Sequence, residues 1–243
     1  MAVAPKKPTC KQLMSQLKKL GKESHRKTFI RHGGPPGKCY GVPIADLKPI
    51  QRRIKKDYQL AMELFATGNA DAQYLAGLIA DETRMKKSDF NRWARESVWG
   101  MIGTCSVAWA AGESPHAIAL GTKWIDSKKE EIACTGWATL SSYLEVTPDE
   151  EIDLALFESL LARVVVEIHG ERNEVKDCMN SFVMASGCSV KPLKAKALKA
   201  ARKIGKVDVD VGDTSCKIHL AEDFIKKVEK MGRIGKKRKS ARC

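Results

Sequence analysis

The chain has 243 residues, 43% of them hydrophobic and 30% charged, with 43 Lys and Arg against 29 Asp and Glu for a formal net charge of +14. The apolar share supports one large domain or two small ones and excludes wholesale disorder, and 6% aromatics is low for a sandwich or barrel. The positive surface favours polyanionic partners, nucleic acid or an anionic membrane face, but no segment reads as a membrane span: the most apolar run, Ser97 to Gly112, is too short and is broken by Gly100 and Gly103.

In chain order, residues 1–8 read as a flexible leader, with charges and prolines but no apolar stretch that would mark a secretory signal. Residues 9–20 place Leu13, Leu17 and Leu20 on one helical face, and Gly21 stops the helix. Residues 31–43 (RHGGPPGKCYGVP) form a loop dictated by four glycines and three prolines. Residues 44–55 and 57–67 repeat with helical spacing, 71–80 form a short apolar helix, and 88–111 read as one long helical stretch bent at its glycines. Ser114-Pro115 reads as a cap followed by a first-turn proline, and Thr147-Pro148-Asp149-Glu150 as a capping box. Behind that box, Phe157, Leu160, Leu161, Val164, Val165 and Ile168 trace a core stripe. The alternation Val207, Val209, Val211 is the sole strand candidate and reads as a short extended link.

The fold class is therefore all-α. Helix starts at Pro115, Pro148 and Pro192, spaced by 33 and 44 residues, suit a superhelical stack of HEAT-like helix pairs with a concave basic face, a compact bundle being the competing architecture. Residues 9–231 would form this repeat domain and 232–243 a basic C-terminal tail. The eight cysteines contain no C-x-x-C pair, which points to a reducing compartment rather than a disulfide framework, and no ligand cluster suggests a metal. Phosphate-loop, dinucleotide, zinc-protease and nucleophile-elbow motifs are absent, so no cofactor is expected. The protein reads as cytoplasmic and nucleoid-associated, without a membrane partner.

The positive charge is concentrated. Residues 191–206 carry seven cations and no acid, and the candidates for nucleic-acid contact here are Lys191, Lys194, Lys199, Arg202 and Lys203, opposite a packing side of Leu193, Ala197, Ala200, Ala201 and Ile204. Residues 226–243 carry nine cations and one Glu, with Lys236, Lys237, Arg238 and Lys239 consecutive. All five tryptophans fall between residues 93 and 137, most of them expected in the core and one or two at a surface, where an indole can stack on bases. Trp93 and Trp99 flank Glu96 at three-residue spacing, on one side of the expected long helix.

Several segments carry a family resemblance: YGVPIADLKPIQRRIKKDYQLAMELFATGNADAQYLAGLIAD at 40–81, KWIDSKKEEIACTGWATLSSYL at 123–144, NEVKDCMNSF at 173–182, and the tail from Gly212 onward. In their order and spacing they resemble the AlkD-like HEAT-repeat proteins of the DNA alkylation repair family, over most of the chain from residue 9. The resemblance implies a helical superhelix that holds DNA, duplex, damaged or branched, by its backbone, with Lys123, Lys128 and Lys129 of the second segment joining the contact set. In glycosylase members it implies release of N3- or N7-alkylated purines, with a carboxylate stabilising the charge that develops on the sugar. Trp99 matches the family's Trp; Gly103 stands where its Asp is expected and Cys134 where its Arg is expected. Residues 97–112 contain no Asp or Glu, which leaves Glu96 as the nearest carboxylate and the alternative catalytic group beside Trp99. The expectation is a DNA-binding protein with a degenerate glycosylase site. An active glycosylase with an altered site and a protein-binding scaffold are the alternatives. Cys134 itself reads as a packed thiol.

Overall fold

The structure, a computed structural model, describes residues 7–242 and divides into two compact units, one built from residues up to Ala110 together with Arg242, the other from Ala111 to Ala241. Of the leader expected over residues 1–8, all but Lys7 and Pro8 lies outside the described residues. Among the described residues every regular element is helical. Among the described residues no helix is long and apolar enough to cross a membrane.

The first unit holds α1 (Cys10–Leu20), α2 (Glu23–Arg31), α3 (Ile44–Ile54), α4 (Tyr58–Ala66), α5 (Ala70–Ile79) and α6 (Lys87–Glu96), then a π-helical turn (Ile102–Val107) leading into α7 (Ala108–Gly112), whose last two residues are counted in the second unit. Thr9 caps α1 by accepting from the Gln12 amide, and the Gln12 side chain accepts from the Thr9 amide in return. Leu13 and Leu17 are fully buried, as their spacing predicts. Asp57 and Asn69 cap α4 and α5 in the same way, through the amides of Leu60 and Ala72. All ten residues of α5 are buried, packed by α4 and by the π turn. At that contact a Cβ on Gly77 would lie 2.5 Å from the Ser106 Cβ, so glycine is what lets the two backbones approach.

The long helix expected over 88–111 is two pieces. Trp93 stacks on Phe65 at 4.2 Å between ring centroids and anchors α6. The helix then ends because Ser97 turns back, its amide and hydroxyl both donating to the Trp93 carbonyl. Gln73, reaching from buried α5, stabilises the break: its Nε2 donates to the Glu96 carbonyl at 2.8 Å and its Oε1 accepts from the Val98 amide at 3.0 Å. These two bonds satisfy backbone groups that a continuous helix would have paired internally. Trp99 therefore does not lie on the helix that carries Trp93 and Glu96.

Arg242 belongs to this unit through Glu82. Its Nη2 donates to Glu82 Oε2 at 2.6 Å, the two side chains being 6% and 7% exposed, and Lys56 donates to the other carboxylate oxygen. Burial alone would raise the Glu82 pKa, but the two cations outweigh it and hold the carboxyl below the ordinary range.

The second unit holds α8 (Ala117–Ile125), α9 (Glu130–Val146), α10 (Leu154–Glu167), α11 (Asn173–Ser189), α12 (Lys194–Ile204) and α13 (Ala221–Lys230). Helices pack in successive pairs, α8 on α9, α10 on α11 and α12 on α13, and the pairs stack in two rows, α9–α11–α13 and α10–α12. This is the HEAT-type arrangement expected from the sequence. Trp137, Phe157 and Phe182 sit at the centre of its core, and the predicted stripe from Phe157 to Ile168 is buried except for the half-buried Val165. The small residues of α12, Ala197, Ala200 and Ala201, are buried with Leu193 and Ile204 as predicted.

Two predicted helix starts move. The Ser114 hydroxyl donates to the Ala111 carbonyl and accepts from the His116 amide, closing a turn, so α8 begins at Ala117, past Pro115. Residues 149–151 form a single 3₁₀ turn rather than a capped helix, and Asp153 caps α10 by accepting from the Leu156 amide at 3.1 Å. An Asp side chain three residues before the first apolar pair outcompetes the Thr147 box as a cap. Val207 to Val211 form no strand; Asn173 pins this link by exchanging two 2.8 Å hydrogen bonds with the Asp210 backbone.

Candidate nucleic-acid interface

Trp99 follows the break after α6 and is held from two sides. Its Nε1 donates to the His32 carbonyl at 2.8 Å, and its ring meets Phe29 edge-to-face at 4.8 Å and 71°. The other four tryptophans are buried; Trp99 alone of the five is half-buried, with part of its ring open to solvent. The expectation of one or two surface indoles is met by this residue.

The positions expected from the resemblance to carry a carboxylate and a guanidinium beside it are Gly103 and Cys134. Gly103 is buried within the π turn, so position 103 presents no side chain to a ligand. Cys134 is buried in α9, where its thiol shares a hydrogen bond with Cys178. That bond, together with burial, pushes the Cys178 thiol far above its usual pKa, as expected of a packed thiol pair rather than a reactive one. Glu96 is exposed at the last turn of α6, on the far side of the helix break from the Trp99 backbone. Asp71 is the carboxylate that lines the same cavity as Trp99. It is already committed, accepting the amides of Tyr40, Gly41 and Val42 at 2.5, 3.1 and 2.9 Å. Among the described residues no three His, Cys, Asp or Glu side chains converge to hold a metal ion.

The predicted cations divide into two kinds. On α12, Lys194 pairs with Glu229, Arg202 with Glu222 and the neighbouring Lys196 with Glu158, acids supplied by α13 and α10. In the tail, Lys237 pairs with Asp149 at 2.8 Å and donates to the Leu144 carbonyl, and Arg238 pairs with Glu145 at 2.8 Å. The tail is thus bonded to α9 and to the turn that follows it. Lys123, Lys128, Lys129, Lys191, Lys199, Lys203, Lys236 and Lys239 form no side-chain ion pair among the described residues. Arg172 fixes the α8–α9 loop that carries Lys128, donating to the carbonyls of Ser127 and Lys128 at 3.1 and 2.9 Å.

A further group of cations is not marked by any run in the sequence. Lys18, Lys19, Lys27, Arg31 and Lys38 are exposed on α1, α2 and the following loop, without ion-pair partners among the described residues. The only acid between Lys18 and Lys38 is Glu23, which pairs with Arg26. The available signal was this local excess, spread over twenty residues instead of packed together.

The sequence model of the DNA alkylation repair enzyme family matches residues 13–130. The uncharacterized protein Lin0241 of Listeria innocua is 32% identical over 224 residues, spanning 90% of this chain and 96% of its own length. The uncharacterized protein Lmo0209 of Listeria monocytogenes is 30% identical with the same coverage. A solved structure, reported for a new family of proteins related to the HEAT-like repeat DNA glycosylases with affinity for branched DNA structures, matches with a TM-score of 0.89 at 35% identity, over 97% of this chain and 100% of that one. With its paired helices and likeness along nearly its whole length, this chain belongs to the DNA alkylation repair family, on the HEAT-like repeat fold.

Proposed function

We propose that the protein binds DNA, branched DNA above plain duplex, through phosphate contacts, and that it does not release bases. One observation carries this reading: exposed unpaired cations are plentiful while positions 103 and 134 hold a buried glycine and a buried cysteine. Phosphate neutralisation needs only accessible Lys and Arg, whereas glycosidic cleavage needs a carboxylate at the sugar. The affinity for branched DNA reported for the structural relative supports the choice of DNA shape. Lys123, Lys128, Lys129, Lys191, Lys199, Lys203, Lys236 and Lys239 are the proposed phosphate contacts. Lys194, Arg202, Lys237 and Arg238 join them when phosphate displaces their carboxylates, an exchange easiest at the exposed Arg202 and Arg238, since exposed pairs contribute only about 0–1 kcal/mol. Residues 9–231 would act as the binding domain, with 232–243 as its basic extension.

The test is titration of a fluorescent four-way junction, a flap and a matched duplex between about 50 and 200 mM salt, with affinity falling steeply over that range for a protein making several phosphate contacts. A base-release assay on duplex carrying N7-methylguanine, with spontaneous depurination subtracted, runs beside it. Salt-steep binding that favours the branched forms, without release, is the expected result. Release above background that disappears in Glu96→Gln would overturn the non-catalytic reading and favour a glycosylase with a displaced carboxylate.

A further inference from the structure

The outward edge of α13 is apolar, and the phosphate-binding reading does not use it. Ala221 and Ile225 are buried and seat the helix on α11 and α12. Leu220, Phe224 and Met231 lie one turn and then two turns apart, along one side of the helix, and are 43%, 36% and 54% exposed. A helix at the end of a solenoid row turns a polar face outward as a rule. Among the described residues α13 ends the row α9–α11–α13, yet it carries this apolar ridge.

The start of the ridge is held from α11. Asn180, fully buried, donates from Nδ2 to the His219 carbonyl at 2.9 Å. The His219 side chain lies near Asp177: burial pushes that carboxyl above its usual range, and the imidazole draws it part of the way back. The same imidazole, exposed at its outer side, meets the Phe224 ring at 5.8 Å between centroids and 46°. Phe224 is thus an exposed aromatic braced by its neighbour, and little ordering remains to be done when a partner arrives.

The charges around the ridge favour an anion. Of the acids on α13, Glu222 is answered by Arg202 and Lys226, and Glu229 by Lys194. Asp223 remains unpaired on the flank of the ridge, one turn before Lys227. Lys227 follows Phe224 by three residues and precedes Met231 by four, which places it on the ridge itself. Lys227, Lys230 and Lys217 are exposed and form no ion pair among the described residues. A partner that suits this surface is anionic and presents a flat apolar face. A second copy of the chain suits it less, because three side chains on one helix edge fall far short of the about 1,600 Å² of a standard interface. A lipid surface suits it less, because sinking the ridge would carry the Lys227 ammonium toward hydrocarbon.

We propose that the Phe224 ring, braced by His219, stacks on the uncovered face of the base pair at a DNA branch point, with Lys227 on the phosphate beside it. The inference rests on the DNA-binding reading and supplies what that reading lacks, a reason to prefer branched DNA. Within a continuous duplex every base pair is covered on both faces, whereas the last pair before a branch has lost one neighbour. Stacking on an aromatic side chain serves any base, so the ridge selects strand geometry without selecting sequence.

The experiment compares, with the full chain, a splayed fork and a dumbbell duplex whose ends are closed by loops, each at two salt concentrations. Phe224→Ala is expected to weaken fork binding by about 5- to 100-fold, the range of one base–aromatic stack, and Phe224→Trp to preserve it. The salt slope on the fork should stay the same in Phe224→Ala, which removes no cation, and fall by about 0.9 in Lys227→Ala. With the unaltered protein, 2-aminopurine in the last base pair of the fork should change fluorescence on binding, and 2-aminopurine in the middle of the duplex should not. That measurement leaves the protein untouched, so the proposal remains testable if Phe224→Ala fails to fold. Salt-sensitive binding with equal affinity for fork and dumbbell, or with no response from the branch-point 2-aminopurine, would overturn the inference and leave DNA binding itself standing. No salt-sensitive binding to either DNA would overturn both. Binding to vesicles of phosphatidylserine and phosphatidylcholine that Phe224→Ala removes, with fork affinity unchanged, would overturn the inference and give the ridge to a lipid surface. A dimer in sedimentation that Phe224→Ala dissolves, again with fork affinity unchanged, would overturn it in favour of a second copy.

Discussion

The α2 region of the first unit and the α12 region of the second both look cationic, yet they hold their charge differently. On α12 and the tail, carboxylates from neighbouring elements answer Lys194, Lys196, Arg202, Lys237 and Arg238, so about half of the charge run in the sequence is cancelled in three dimensions. On α1, α2 and the loop, Lys18, Lys19, Lys27, Arg31 and Lys38 have no such answer, although no two of the last three are adjacent in sequence. A density of Lys and Arg along the chain measures what could bind a polyanion. The field that a phosphate meets depends on which carboxylates the fold brings alongside.

The largest expected effect separates both regions from a third kind of cation. Arg242 is buried against Glu82, and breaking such a pair strands a charge, so Arg242→Met should cost about 3 kcal/mol in urea unfolding. The same pair sets an acid limit. The folded-state pKa of Glu82 is depressed, so its stabilisation is fully present above the unfolded value of about 4.3 and is lost as pH falls through the folded value. Glu82→Gln should therefore flatten the decline in melting temperature below about pH 4; an unchanged profile would mean that other carboxylates set it.

Next comes DNA affinity. Replacing Lys27 and Arg31 by Ala should lower the slope of log affinity against log salt by about 0.9 for each phosphate left without its cation, near 1.8 for the pair. The matched change at Lys194 and Arg202 should lower it by less than about half as much, because Glu229 and Glu222 already occupy those cations. Equal changes of slope would erase the distinction between the two regions. The smallest effect belongs to Glu96→Gln, an exposed substitution expected to move stability by no more than about 0.5 kcal/mol and to leave DNA affinity and base release unchanged.

Much of the second unit was legible because its core is periodic: Phe157 to Ile168 and Leu193 to Ile204 repeat at helical spacing and are buried accordingly. Helix starts were harder. Ser114 and Thr147 carry the right chemistry for caps, but Ser114 serves a turn and Asp153 holds the cap position before α10. Helix α2 was invisible because it buries one residue, Phe29, and a single buried side chain has no period. The break that sets Trp99 depends on Gln73, a polar side chain in an otherwise apolar, wholly buried helix, and Asp71 two residues earlier organises the cavity. Two polar groups inside ADAQYLAGLI were the available hint, since buried polar residues need partners. That residues 97–112 carry no carboxylate was plain from the sequence, whereas the burial of Gly103 was not.

The Arg242–Glu82 pair also bears on how the molecule is made. Its partners lie 160 residues apart in sequence, and the whole second unit is encoded between them. At about 5–20 residues per second, roughly 8 to 32 s of synthesis separates the two side chains. During that interval the first unit emerges with Lys56 as the only cation on Glu82, and it is completed after the second unit has been translated. The buried ion pair of the N-terminal unit is thus a contact that can form only after the C-terminal unit has been synthesised.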